Sequence, residues 1–200
     1  MVLGITGGMG CGKSTAARMF EERGFRRIDS DALVREQVLT SAEVVAQVRE
    51  RFGAAALSPS GGIDRKALAE RVFSSDEDLA WLESVTHPAV FDLWRGQLAS
   101  APQGRWAVEA PLLFEAGLEI WFDFTVSVAC SAQQQLVRLE QRGLDRALAG
   151  QRISKQLPLT RKIELAEHVL WNDGSLDFLH DQVDRLISTL SNPDESPAQR

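Results

Sequence analysis

Apolar residues along this chain follow two rhythms. Short, largely apolar runs occur at residues 2–6, 106–110, 124–130 and 168–171, and Phe25 to Ile28 is a further short strand candidate. Runs of that length predict strands buried on both faces. Between them the apolar positions take helical steps. Ala16, Ala17, Met19 and Phe20 mark a helix that Gly24 stops. Val34, Val38, Val45, Val48 and Phe52 predict a helix over 33–52, and a helical pattern runs from 65 to about 98. His87-Pro88 predicts a boundary within that stretch, because proline biases the preceding residue away from the helical region. A helix is expected from Ser131, with Ser131 and Gln134 at capping-box spacing. Leu176, Leu179, Val183, Leu186, Ile187 and Leu190 share one face of a closing helix. Residues 58–62 read as a turn, and the polar residues 191–200, with Pro193 and Pro197, as a frayed tail.

Strands alternating with helices predict an α/β fold, a parallel sheet with helices on both faces. The helical stretch over 33–103 is too long for one crossover, so it is expected as an inserted helical subdomain. The core then comprises residues 1–32, 104–137 and 167–190 of a single domain over 1–190. Composition narrows the class further. With 44% hydrophobic and 25% charged residues, disordered and collagen-like chains are excluded. A net charge of −6 argues against a broad nucleic-acid or membrane-binding face, but leaves room for a local basic pocket. No apolar run approaches the roughly 20 residues a bilayer requires. The opening Met-Val-Leu-Gly-Ile-Thr lacks the basic region of a signal peptide. Cys11 and Cys130, far apart in the sequence, predict no disulfide framework, a reducing compartment and a cytoplasmic protein.

The most specific chemistry lies at Gly7-x-x-x-x-Gly12-Lys13-Ser14, the phosphate-loop pattern, between an apolar strand and a helix. Phosphate oxygens need several backbone N–H groups aimed into one concavity, and side chains at the glycine positions would block it. The helix start adds its positive dipole end. Lys13 supplies a mobile charge for the outer phosphates, and the Ser14 hydroxyl is a ligand for Mg²⁺. A nucleoside triphosphate is the implied ligand. The base-reading Asn-Lys-x-Asp of GTPases is missing from the sequence, as are the signatures of motor ATPases, which leaves a small-molecule kinase.

A kinase needs further groups. Asp31, just past the second strand, is placed to accept a proton from an acceptor hydroxyl, or else to cap the helix from Ala32. Glu109, at the end of the third strand, either supports the Mg²⁺ shell through water or is a solvated strand end. Arg138, Arg142, Arg146, Arg152 and Arg161, with Lys155 and Lys162, form either a phosphate-engaging lid over 138–166 or a solvated basic face.

With these residues placed, the chain resembles dephospho-coenzyme A kinases over nearly all of residues 1–190. The resemblance is carried by residues 6–15, by Ile28-Asp29-Ser30-Asp31-Ala32 with Arg35, and by Ile63-Asp64-Arg65. It continues in His87-Pro88, Glu109-Ala110-Pro111-Leu112-Leu113-Phe114-Glu115, residues 152–162 and Asn172-Asp173-Gly174. It implies a P-loop fold like that of nucleoside-monophosphate kinases, with an acceptor-binding helical insert and a short lid. The implied reaction is ATP-dependent phosphorylation of the ribose 3′-hydroxyl of dephospho-coenzyme A, with Mg²⁺. It implies Asp31 as catalytic base, and Gly8, Gly10, Cys11, Gly12, Lys13, Ser14 and Thr15 around ATP. Arg142 matches a lid arginine at the phosphates, and Asn172 the segment near adenine. Arg35, Arg65, His87, Leu113 and Glu115 match positions around the acceptor. No nucleic acid, membrane or obligate protein partner is implied. Cys11 stands where the family most often has serine. At a helix N-terminus its thiol is either reactive and shielded by ATP, or an inert small-residue replacement. His168 and His180 match nothing in the family and read as structural or surface residues. Two other readings stay open: a kinase for a different small metabolite or nucleotide, and a switch module that hydrolyses ATP slowly. An acceptor screen separates them.

Overall fold

The computed structural model describes residues 1–191; the tail expected over 191–200 falls almost wholly outside the described residues. The chain divides into two compact units, one of Met1–Ile28 with the chain from Gln103 onward, the other of Asp29–Pro102.

The first unit is built on a five-stranded sheet in the order β2-β3-β1-β4-β5. The strands are β1 (Val2–Gly7), β2 (Arg26–Asp29), β3 (Trp106–Glu109), β4 (Phe124–Ala129) and β5 (His168–Trp171). β1 runs parallel to β3, with Ile5 opposite Glu109, and to β4, with Gly7 opposite Val128; β4 runs parallel to β5. The runs of β1, β3 and β4 are nearly continuous because both faces are covered, while the edge strands β2 and β5 are partly exposed. Leu3, Ile5, Val126 and Val128 pack with Ala16, Met19 and Phe20 of α1 (Lys13–Glu21) and Leu179, Val183 and Leu186 of α9 (Leu176–Ser191). The opposite face takes the 110–122 connection and α8 (Leu159–Leu165). Before α8 come α6 (Ala132–Gln141) and α7 (Arg146–Ser154). This order puts β1 at the centre with crossovers departing to both sides, the place where open α/β sheets receive ligands.

The second unit is helical, and here two expectations are corrected. The helix expected over 33–52 is interrupted. α2 (Ser30–Leu33) passes into a π-helical turn, Val34–Val38, and α3 (Ala42–Phe52) starts afresh. Thr40 Oγ1 donates to the Glu36 and Gln37 carbonyls, and Ser41 Oγ accepts from Val44 N–H, so these hydroxyls take over the backbone groups a continuous helix would pair. The boundary expected at His87-Pro88 is absent. α4 (Arg65–Phe73) ends earlier, and α5 (Asp76–Ala99) runs straight through Pro88. Thr86 on one side of the proline and Val90 and Trp94 on the other are all buried, while Pro88 itself is exposed. Packing of both halves outweighs the roughly 3 kcal/mol an internal proline costs. The real start of α5 is Ser75, whose Oγ accepts from Asp78 N–H ahead of three acidic residues.

Buried Asp78 also ties three helices together: it accepts from Arg51 Nε and Nη2 at 3.2 and 2.9 Å and from Arg71 Nε at 3.2 Å. Asp78→Ala is expected to lower stability by about 2 kcal/mol, less than for a fully buried pair because Arg51 and Arg71 can rehydrate. Urea denaturation reads this, and an unchanged midpoint would show the cluster to be idle.

Candidate active site

β1 ends at Gly7 and α1 begins at Lys13, so residues 8–12 form the turn between them. Gly7 and Gly12 have φ of 137° and 96°. A Cβ at Gly7 would lie 2.1 Å from the Val128 carbonyl oxygen, and one at Gly12 2.2 Å from Asn172 Nδ2. Only glycine allows this path. The first helical amide bonds belong to Thr15 and Ala16, both donating to Gly12 O at 3.0 Å, so Lys13 and Ser14 precede them. No acidic residue lies in the first turn of α1. The positive end of the helix is thus available to an anion. Lys13 Nζ donates to Gly7 O at 3.2 Å and Gly8 O at 3.1 Å, folded back on the loop.

Two buried amides hold the loop from behind. Gln135 Nε2 on α6 donates to Met9 O at 2.9 Å, and Asn172 Nδ2 donates to Cys11 O at 2.8 Å. Asn172 in turn accepts at its own carbonyl from Arg138 Nη2 at 2.7 Å. Asn172, matched by resemblance to the adenine segment, therefore gives one of its two side-chain N–H donors to the loop. Gln135 escaped the sequence reading because its partner is 126 positions away and no local pattern links them. The Ser131 cap is present, its Oγ accepting from Gln134 N–H. The return arm of a capping box comes instead from Asp173, which accepts from Ser131 N–H and Oγ at 2.8 Å.

Glu109 is not a solvated strand end. It is 4% exposed, and its Oε1 accepts from Arg27 Nε at 2.7 Å and Nη2 at 2.5 Å. Leu113 is completely buried, with Cδ1 set 2.7 Å from where a Cβ on Gly4 would stand, so it packs the sheet and offers no surface to an acceptor. Glu115 Oε1 accepts from Lys162 Nζ at 2.8 Å and from Leu157 N–H at 2.9 Å. Lys162 is fully buried and also donates to Pro111 O at 2.6 Å. This lysine was grouped with the lid, but it anchors α8 to the 110–117 turn.

The arginines separate by task. Arg138 is engaged with Asn172; Arg161 pairs with Glu164; Arg142, at the end of α6 before Gly143 (φ 80°), is exposed. Cys11 is buried, and its sulfur lies 3.4 Å from that of Cys130, which distance along the chain had not foretold. Burial holds the His168 imidazole below its ordinary pKa, partly offset by Glu167.

In the helical unit, the capping alternative for Asp31 is excluded. Asp29 Oδ1 accepts from Ala32 N–H at 2.9 Å and is the cap, so Asp31 stands exposed in the first turn of α2. Arg35 is exposed on the π-helical turn that follows. Arg65 is exposed at the start of α4, which Asp64 caps through Lys66 and Ala67 N–H. His87 is half-buried in mid-helix, its ring 5.8 Å from that of Phe91.

The dephospho-CoA kinase family profile matches residues 1–177. A dephospho-CoA kinase of Thermosynechococcus vestitus is 42% identical over 94% of both chains. Among solved structures, a Thermus thermophilus protein superposes with a TM-score of 0.81 at 34% identity, covering 95% of this chain and 97% of that one. The dephospho-CoA kinase from Campylobacter jejuni superposes with a TM-score of 0.69 at 25% identity, covering 96% and 98%. The chain belongs to the dephospho-CoA kinase family, the P-loop kinases that phosphorylate dephospho-coenzyme A in the last step of coenzyme A synthesis.

Proposed function

We propose that residues 7–15 hold the triphosphate of ATP while Asp31 takes the proton of the acceptor's ribose 3′-hydroxyl. The observation that carries this reading is the braced, glycine-lined loop opening onto an uncapped, acid-free helix start. Lys13 leaves the Gly7 and Gly8 carbonyls to meet the outer phosphates, where it supplies a compact positive charge. Arg142 joins it there. An exposed guanidinium beside a glycine in left-handed backbone can swing with a short lid. The proposed lid covers 138–166, with Lys162 anchoring its end, so the segment before α8 is the part that moves. Arg35, Arg65, His87 and Glu115 are proposed acceptor contacts; Leu113 supports them from the core.

Mg²⁺ fits this donor set. Among the described residues no group of three or more His, Cys, Asp or Glu side chains forms an all-protein metal cage. Mg²⁺ prefers few protein ligands with phosphate oxygens and water, and the Ser14 hydroxyl with Glu109 acting through water meets that preference. When bound, the ion neutralises charge on the outer phosphates. Glu109 is held in place by Arg27, whose Nε and Nη2 both reach its Oε1. Asp31 receives the proton as the acceptor hydroxyl loses it during formation of the phosphorus–oxygen bond. No helix among the described residues is long and apolar enough to cross a membrane. The cytoplasm is the proposed location, in keeping with two thiols in contact but unbonded.

Asp31→Asn is expected to lower kcat by about 100-fold or more with ATP affinity retained. Turnover near wild type would remove Asp31 as the base. Asn172→Ala leaves the Cys11 carbonyl without its buried donor, so the KM for ATP is expected to rise about tenfold with a smaller change in kcat; equal loss of kcat alone would contradict a brace for the loop. An acceptor screen with ATP should show dephospho-coenzyme A preferred over nucleoside monophosphates, and the reverse order would overturn the acceptor assignment.

A further inference from the structure

The phosphate loop and the end of β4 bring together two thiols that the kinase chemistry does not use. Cys130 donates its S–H to the Cys11 sulfur at 3.4 Å, and the two residues are 3% and 0% exposed. Cys11 serves the loop with its backbone only: its N–H donates to Gly8 O at 3.2 Å and its carbonyl accepts from Asn172. Cys130 directly follows β4, which is paired to β1 on one side and β5 on the other. The two sulfurs are electronically unequal. The hydrogen bond from Cys130 and the charge of Lys13 bring the Cys11 thiol down to about 7 against the effect of burial. The same contact, with burial, pushes Cys130 up. A thiolate-forming cysteine touching a protonated one is the arrangement that two-electron oxidants convert to a disulfide.

We propose that Cys11 and Cys130 form a reversible disulfide, with hydrogen peroxide as oxidant, that deforms the phosphate loop and stops ATP binding. The consequence for ATP rests on the reading of residues 7–15 given above; formation of the bond does not. The Cys11 thiolate attacks one peroxide oxygen, an S–O bond forms, the O–O bond breaks, and the departing hydroxide takes a proton to become water. The Cys130 sulfur then attacks the sulfenic sulfur. The S–S bond forms, the S–O bond breaks, and the Cys130 proton leaves with that oxygen as a second water. Two thiols are oxidised and one peroxide is reduced to two waters. The sulfurs must close to about 2.05 Å. β4 is clamped between two strands, so the movement falls on the loop and displaces the Cys11 amide and the carbonyl that Asn172 holds. Enclosure of both sulfurs selects an oxidant as small as peroxide and excludes bulky disulfides such as oxidised glutathione.

The reduced full-length enzyme is treated with a few equivalents of peroxide, quenched with catalase, and examined by intact mass, alkylation after denaturation, and equilibrium ATP binding. The expected result is a loss of about 2 Da, both cysteines blocked to alkylation, and ATP affinity reduced about tenfold or more, all restored by dithiothreitol. Cys130→Ala and Cys130→Ser are expected to bind ATP normally before and after the same exposure. Both lack the resolving sulfur; Cys130→Ala also removes the donor to the Cys11 sulfur, which the hydroxyl of Cys130→Ser can still supply. Failure to lose 2 Da overturns the bond. A bonded enzyme with unchanged ATP affinity overturns the switch, as does equal loss of affinity in both Cys130 variants. If the reduced enzyme binds no ATP, the assignment of the loop fails, and the mass measurement still decides whether the bond forms.

Discussion

A backbone that aims its amides at an anion must turn its carbonyls the other way, into the protein. That constraint organises the sheet unit. Every loop carbonyl that faces inward needs a donor, because a buried unpaired carbonyl costs about as much as a lost hydrogen bond. Gly7 and Gly8 are served by Lys13, Gly8 also by Cys11 N–H, Met9 by Gln135, Cys11 by Asn172, and Gly12 by the first amides of α1. These hydrogen bonds to its carbonyls hold the shape of the loop.

Two of the donors come from elements far away in sequence. Gln135 sits on α6, which Ser131 and Asp173 fix at its start, and Asn172 sits just past β5 with its own N–H on Ala129 O. Sheet order decides which elements can serve: β4 lies beside β1 and β5 beside β4, so the ends of both reach the loop. A polar network of this kind is satisfied as a whole or not at all, which makes each member costly to change. The Cys11–Cys130 contact arises from the same adjacency of loop and β4.

Charged groups elsewhere are held in the same spirit. Glu109 is held in the interior at the end of β3 because Arg27 pairs with it, and burying such a group without a partner is costly. Lys162 is tolerated in the interior because Pro111 O and Glu115 surround its ammonium. In the helical unit, neighbouring carboxylates differ in their surroundings. Asp29 caps the helix, and Asp31 remains exposed at the surface.

The alternation of strands and helices, the phosphate loop, Lys13, Ser14 and the kinase resemblance were legible in the sequence, because each depends on residues close together in the chain. Backbone turns, apolar periodicity and helix starts are local, so local patterns encode them. The break after Leu33, the passage of α5 through Pro88, the burial of Leu113 and Lys162, and the choice between capping and exposure for Asp31 were not. The passage through Pro88 and the burial of Leu113 and Lys162 were decided by distant groups packed against or bonded to them. The break and the exposure of Asp31 were decided by short-range hydrogen bonds of Thr40, Ser41 and Asp29, between whose alternatives the local pattern does not choose. The sequence alone determined that this protein has a phosphate cradle and the strand before it. Only the tertiary structure decided what holds the cradle open, which carboxylates are paired, and that two cysteines remote in the chain touch, because those outcomes depend on the energies of contacts that exist only after the strands have assembled.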